Sequence, residues 1–219
     1  MKNKKSQMDQ DIILDEHFFK YKRDGVFIEI GALDGISGSN TYFFEKERNW
    51  SGLLIEPNPI EFNKLLTLDR ELSIKENCAI SSIEQDVNFL SIGGPCNVLS
   101  GILEFYNPTH LQRIDRELAH YSQFSEGHEY YSTREVVRIP ALKLQTLIDK
   151  YNLYNIDLLS IDVEGAEMQV LESIDFNKSS IECILLENNY GIDNELKFLE
   201  EKGYKVLGNI QWDVVFVKK

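Results

Sequence analysis

Five short apolar runs in this sequence each end in residues that can do chemistry. Val26–Ile30 leads into Glu29-Ile30-Gly31-Ala32-Leu33-Asp34-Gly35, and Gly52–Ile55 leads into Glu56. A third run closes on Asn77-Cys78-Ala79-Ile80-Ser81. Ile156–Ile161 ends at Asp162-Val163-Glu164-Gly165, and Ile181–Leu186 at Glu187-Asn188-Asn189. Only the third end lacks an acid, so the pattern is more than loops starting on polar residues. Carboxylates so placed can accept hydroxyl protons, bind cations or hold a metal ion.

The glycines narrow the choice. Gly31 and Gly35 permit a sharp turn and a close backbone approach to a ligand. A dinucleotide fingerprint needs a middle glycine to admit a pyrophosphate. G-A-L-D-G lacks that glycine, and Glu29 adds an acid beside it. The pair favours a ligand with a cationic part over a diphosphate; the plainer reading is a tight turn alone. Glu56 follows Gly35 by about 20 residues, where a carboxylate can accept both hydroxyls of a ribose. The plainer reading there is a solvated surface acid. Ala79–Ser81 would border an adenine edge, or simply end a strand.

These ends must be positioned by regular elements. Residues 11–22 are apolar at helical spacing and predict a helix covering a sheet edge. Strands are expected over Val26–Ile30, Gly52–Ile55, Ile74–Ile80, Val87–Ile92, Arg134–Leu144, Ile156–Ile161 and Ile181–Leu186. Helices are expected over Ser39–Arg48, from Pro59 to about Leu68, and over Leu144–Tyr151, Gly165–Ser173 and Glu195–Lys202. Asn58 suits the N-cap and Pro59 the first helical position. Tyr204–Leu207 and Val214–Val217 read as a closing strand pair, with an antiparallel strand at one edge. Short apolar strands alternating with helices make an α/β, doubly wound, mostly parallel sheet with helices on both faces. The expected organisation is one domain over 1–219. Residues 1–24 form a helical cover and 93–131 a substrate-side insertion. That insertion carries His110, His120 and His128 among several tyrosines.

Composition excludes several classes. The formal net charge of −13 disfavours a nucleic-acid backbone or an anionic membrane as partner. Cys78, Cys96 and Cys183 make neither a zinc pattern nor an even disulfide set. No apolar run reaches the length of a membrane span, and no secretory leader is visible. A reducing, cytoplasmic setting is expected.

EIGALDG, LLIEPNP, NCAIS and IDLLSIDVEGAEMQVLES, in this order and spacing, resemble the FkbM family of class I methyltransferases. The likeness spans most of the chain, from Val26 to Tyr190. It implies a seven-stranded Rossmann-like sheet and methyl transfer from S-adenosylmethionine, whose ammonium and sulfonium fit the cationic ligand inferred above. Family members mostly methylate oxygen on sugars or natural products. Carried onto this sequence, Glu29, Gly31 and Gly35 line the methionine part of the cofactor. Ser39 and Asn40 hold its carboxylate, Glu56 the ribose, and Ala79 and Ser81 border adenine. Asp162 and Glu164 face the reacting centre as catalytic groups.

A sugar or glycan hydroxyl needs a general base or a metal ion to become a nucleophile. Glu164 is the first candidate base and Asp162 the second; His110, His120 and His128 are further candidates on the substrate side. Asp162, Glu187 and Asn188 resemble the ligand set of metal-dependent O-methyltransferases and would suit Mg²⁺; the plainer reading is that they only hydrogen-bond substrate or loops. Three other functions stay open: a non-catalytic module in protein interaction or trafficking, a nicotinamide-dependent oxidoreductase, and a methyltransferase with a non-sugar small molecule or protein as acceptor. The missing middle glycine disfavours the oxidoreductase.

Overall fold

The computed structural model describes residues 5–219. One turn of α-helix, α1 (Gln10–Ile13), widens into a π-helical stretch over Leu14–Phe19. In chain order there follow β1 (Val26–Ile30), α2 (Tyr42–Arg48), β2 (Ser51–Ile55), α3 (Pro59–Leu65), β3 (Ser73–Glu76), β4 (Ala79–Ile80), β5 (Gln85–Gly93) and β6 (Gly101–Ile102). After them come α4 (Pro108–Tyr121), β7 (Thr133–Leu142), α5 (Leu144–Tyr151), β8 (Asn155–Ile161), α6 (Glu167–Glu172), β9 (Ser180–Glu187), α7 (Asp193–Glu201), β10 (Tyr204–Ile210) and β11 (Asp213–Lys218). The Asn58 carboxamide caps α3 by accepting from Ile60 N, and Pro59 takes its first turn.

Seven strands form the main sheet in the order β10-β11-β9-β8-β1-β2-β3. β9, β8, β1, β2 and β3 run parallel. This is the expected mostly parallel α/β sheet, with one difference in detail. The antiparallel strand, β11, does not lie at the edge; it sits between β9 and β10 and pairs with both. Its residues are buried up to Val217, whereas β10 is exposed over most of its length. The more apolar strand takes the inner place.

Both faces of the sheet are covered, which is why its inner strands are apolar without alternation. Ile28, Ile30, Leu159, Ile161 and Ile184 pack with residues of α5, α6 and α7. Phe27, Leu54, Leu158 and Leu185 pack with Leu14, Phe44, Trp50 and Leu65. Phe44 and Phe19 lie against the Trp50 ring at centroid distances of 4.6 and 4.8 Å.

A second sheet of four strands, β4-β7-β5-β6, stands apart from the first. β5 and β7 are its antiparallel centre. Val87, Phe89 and Ile139 lie in one of its two apolar layers; Leu90 and Ile92 lie in the other with Ile114 of α4. The run Ile74–Ile80, expected as one strand, is therefore two. Asn77 Nδ2 donates to the carbonyls of Glu56 (2.7 Å) and Pro57 (3.2 Å). That contact interrupts the run between β3, in the first sheet, and β4, in the second. No helix among the described residues is long and apolar enough to cross a membrane.

The loop after β1 is locked by Arg70, whose side chain is fully buried. Its Nε donates to Glu45 Oε2 (2.8 Å), its Nη2 to Thr41 Oγ1 (2.8 Å), and its Nη1 to Ser39 Oγ (3.1 Å) and Gly35 O. Removing one partner of a buried ion pair leaves the other charge without compensation. Arg70→Met should therefore lower unfolding stability by about 3–5 kcal/mol. Urea titration reads this directly; a loss under about 1 kcal/mol would show that the network is not holding the loop.

Candidate functional site

The carboxyl ends of β1, β2 and β8 open into two clefts that meet. The first, of about 620 Å³, has Gly31, Leu33, Glu56 and Asp162 from the main sheet on its walls; Ala79, Phe89 and Ile102 come from the second sheet. The second, of about 310 Å³, runs along Glu29, Gly31, Ser37–Asn40 and Ser160. Gln7, Ile30, Gly31, Leu33 and Asp162 are common to both. A third cleft, of about 480 Å³, is lined by Phe105, Tyr190, Glu167, Glu187 and Glu195, with Asn107 and Asn189.

Gly31 lies where the clefts join because nothing larger fits. Its φ is +84°, and a Cβ there would fall 2.0 Å from Asp162 O. Gly35 has φ +79°, and a Cβ there would meet Leu65 Cδ1 at 2.3 Å. Gly35 lines neither cleft; it shapes the loop.

Glu29 turns its carboxylate into the loop. Oε2 accepts from Ser39 Oγ (2.8 Å) and Thr41 Oγ1 (2.6 Å), and Oε1 from Asn40 N (2.7 Å). Ser39 Oγ also accepts from Tyr42 N (3.1 Å), at the start of α2. Asn40 Nδ2 donates to Ser160 Oγ (3.0 Å), while Asn40 Oδ1 is buried with no hydrogen-bond partner. Glu56 is also buried. Its oxygens accept from Leu33 N (2.6 Å) and Asn58 N (2.7 Å). Burial pushes the Glu56 carboxyl up to about 8, against the pull of those two N–H groups. Ala79 lines the first cleft. Ser81 does not: it is buried, its N donates to Leu142 O, and its Oγ accepts from Ile83 N.

Beyond Gly31, Asp162, Glu164 and Glu187 converge, each offering an oxygen within 4.8 Å of the others. Asp162 and Glu164 face the first cleft, and Glu187 the third. Burial, and then the neighbouring Glu187, holds the Asp162 carboxyl well above its usual range. Burial and then the Asp162 charge push Glu164 up to about 8. Burial and then Glu164 raise Glu187, whose buried Oε2 has no partner. Glu164 adopts φ +53°, a left-handed conformation that non-glycine residues seldom hold.

His110, on α4, is fully buried beside this cluster. Its Nε2 lies 3.2 Å from Leu99 O, which can only accept, so Nε2 carries the hydrogen. Burial pushes the ring pKa down, leaving Nδ1 as acceptor for the Tyr190 hydroxyl at 2.7 Å. Nδ1 is also 3.3 Å from Glu164 Oε2, and Arg113 Nη1 is 3.9 Å from Glu164 Oε1. His120 and His128 line none of the three clefts; His128 stacks on Phe124 in an exposed aromatic group. Asn188 does not turn its carboxamide to the acids: its Oδ1 accepts from Gly191 N (2.9 Å) and closes a turn. Glu164 takes the third place beside Asp162 and Glu187, and Asn189 Nδ2 donates to Glu164 Oε2 (3.1 Å).

Gln7, Arg113 and Tyr190 join the site without a signal in the sequence. Gln7 sits in a polar stretch with no periodicity, and Arg113 and Tyr190 reach the acids from separate elements.

The raised acid has a measurable consequence. A carboxyl whose folded pKa exceeds its unfolded value gives stability that is full below the unfolded value, near 4.5, and is lost as pH rises through the folded one. Glu56 should thus make the ligand-free protein more stable at pH 5.5 than at pH 8.5, by an amount on the order of a few kcal/mol. Urea midpoints across that range should fall for the wild type and fall less for Glu56→Gln. Identical slopes for the two proteins would contradict the buried-acid reading.

Several solved structures resemble this chain at low identity. One is methyltransferase FkbM from Methylobacillus flagellatus KT, at 13% identity and TM-score 0.47, covering 89% of this chain and 43% of that one. Another is precorrin-6y C5,15-methyltransferase from Geobacter metallireducens GS-15, at 13% identity and TM-score 0.49, covering 100% and 91%. A third is Aeropyrum pernix fibrillarin with natively bound S-adenosyl-L-methionine, at 10% identity and TM-score 0.48, covering 97% and 73%. This chain thus spans less than half the length of the Methylobacillus protein. No curated protein sequence matches it significantly. Residues 29–206 match the methyltransferase FkbM domain, a stretch that runs from Glu29 on β1 to Val206 on β10 and includes every acid of the clefts, and the chain belongs to the FkbM methyltransferase family.

Proposed function

We propose that this chain is an S-adenosylmethionine-dependent O-methyltransferase whose acceptor is a hydroxyl of a sugar or glycan. The observation that carries the reading is the meeting of two clefts over Gly31 and Asp162, one wide and partly apolar, one narrow and polar. The wide cleft suits an adenosine. Ala79, Ile80 and Phe89 offer apolar surface to a base, and Glu56 offers carboxyl oxygens to the ribose hydroxyls. The narrow cleft suits the amino-acid part, with the unpartnered Asn40 Oδ1 as an acceptor for its ammonium.

Bound there, the cofactor supplies an electrophilic methyl on a sulfonium that is already a good leaving group. The protein's own task is alignment and proton removal. Alignment of reacting groups can lower a barrier by about 7–11 kcal/mol. The acceptor enters from the third cleft, where Phe105 and Tyr190 offer ring faces and Glu187 and Asn189 offer polar groups. With its oxygen aligned on that methyl, the acceptor would give up its hydroxyl proton to a carboxylate of this chain. Glu164 is the base, since a group titrating near 8 matches the working pH, and Asp162 stands beside it. Asn189 Nδ2, donating to Glu164 Oε2, holds that carboxyl in place, with His110 buried beside it and tied to Leu99 and Tyr190; His120 and His128 have no part in the chemistry.

A second reading of the acids rests on one observation. Asp162, Glu164 and Glu187 are close enough to share a divalent ion, and Glu187 Oε2 lacks a partner. A magnesium ion there would lower the acceptor pKa and relieve three crowded carboxyls.

Calorimetric titration with S-adenosylmethionine and S-adenosylhomocysteine should show wild-type binding and a loss of at least about 10-fold in Glu56→Ala, the scale of two lost hydrogen bonds to the ribose hydroxyls. No binding by the wild type would leave a methyltransferase-like module without the chemistry. Turnover on a glycoside panel should drop by about 100-fold or more in Glu164→Gln, the usual size of a lost general base. Activity that survives chelator treatment assigns the acids to proton transfer. Activity lost in chelator and restored by Mg²⁺ assigns them to the ion.

A further inference from the structure

Residues 5–9 are folded back across the cofactor clefts. Ser6 and Gly38 form a parallel bridge, and Gly38 N donates to Lys5 O (3.1 Å). Asp11, fully buried, anchors the same stretch: its Oδ1 accepts from Ser6 Oγ (2.6 Å) and its Oδ2 from Lys5 N (3.2 Å). Between these two holds lies Gln7, which reaches both clefts where they join. Its Cγ and Nε2 would stand 3.5 Å from a Cβ built on Gly38. Among the described residues its carboxamide has no hydrogen-bond partner, although the backbone on either side of it is fixed.

The narrow cleft is short of donors. Ser37 N and Oγ donate to Asp34, Gly38 N to Lys5 O, and Ser39 N to Ile36 O. Ser39 Oγ and Asn40 N donate to Glu29, and Asn40 Nδ2 donates to Ser160 Oγ. Gly31 N and Ala32 N are taken by Ile55 O, and Leu33 N by Glu56. What remains suits a cation: the clefts hold carboxyls, and Asn40 Oδ1 is buried without a partner. An amino acid's α-carboxylate needs donors, and those named in the loop after β1 are engaged, save the second N–H of Asn40 Nδ2; across the cleft Ser160 Oγ accepts from Asn40 and keeps its own hydrogen.

We infer that Gln7 is the cofactor's α-carboxylate ligand: Nε2 donates to the carboxylate, and the Lys5–Asp9 segment is a strap that brings it there. This rests on the reading of the clefts as an S-adenosylmethionine site. It also replaces the expected carboxylate role of Ser39 and Asn40, whose donors serve Glu29 and Ser160. Ser39 and Asn40 shape the cleft; Gln7 and Asn40 Oδ1 bind the two ends of the zwitterion.

The test compares two ligands that share the adenosine and differ in the amino-acid part: S-adenosylhomocysteine and 5′-methylthioadenosine. Gln7 is exposed, so Gln7→Ala should fold with unchanged thermal stability. It should weaken S-adenosylhomocysteine by about 10- to 100-fold, the range for a hydrogen bond to a charged group. Methylthioadenosine should bind both proteins alike. Gln7→Glu, which sets a carboxylate against the carboxylate, should weaken S-adenosylhomocysteine further and again spare methylthioadenosine. Equal losses for both ligands would make the strap a mere cover and overturn the assignment; unchanged affinity for both would do the same. Failure of wild-type protein to bind either ligand would instead remove the cofactor reading, and Gln7's role with it.

Discussion

A carboxyl group closed off from water must find a donor for each oxygen or cost the fold several kilocalories. Glu29 meets that condition by recruiting the loop that follows its own strand. Ser39, Asn40 and Thr41 all turn back to it, and Arg70 stands 3.8 Å from its Oε2 while holding Ser39, Thr41 and Glu45. One acid at the end of β1 therefore dictates where residues 35–41 go, where α2 starts, and which donors are left facing the cleft. The glycine at 31 lets the end of β1 pass close to Asp162, and the crowding of acids beyond follows from that approach.

The main sheet was legible because its strands are buried on both faces. Gly52–Ile55 has no polar interruption and Val26–Ile30 only Glu29, and helical spacing between the apolar runs is clear. The Asn58-Pro59 start of α3 and the span of α5 were readable from local chemistry alone. The second sheet was not, because β5 and β7 read as two more strands and nothing local says that they pair with each other rather than join the first sheet. Likewise the place of β11 depends on which strand can bear water on its edge, a tertiary choice.

The site divides along the same line. Acids that end buried strands announce themselves by position, so Glu29, Glu56, Asp162, Glu164 and Glu187 could be named from sequence. What each carboxyl touches could not. Glu29 serves the loop, and Asn188 closes a turn that hides its side chain from the acids. His110 enters through a helix of the second sheet, at a distance along the chain that no spacing rule covers. The lowered pKa of its ring and the raised pKa of Glu164 share one cause: both groups are held away from water, so burial favours the uncharged form of each.

Asn58 belongs to both halves of the protein. It caps α3, beside the Glu56 end of the main sheet, yet its Nδ2 donates to Ile92 O (2.9 Å) and its Oδ1 accepts from Ser91 Oγ (2.8 Å), both on the second sheet. The floor of the wide cleft comes from one sheet and part of its wall from the other, stitched at this residue. Neither sheet can therefore change shape alone: Gly31 and Glu56 come from one and Ala79 and Phe89 from the other, so a shift of either against the other is felt first in the width of the cleft between them.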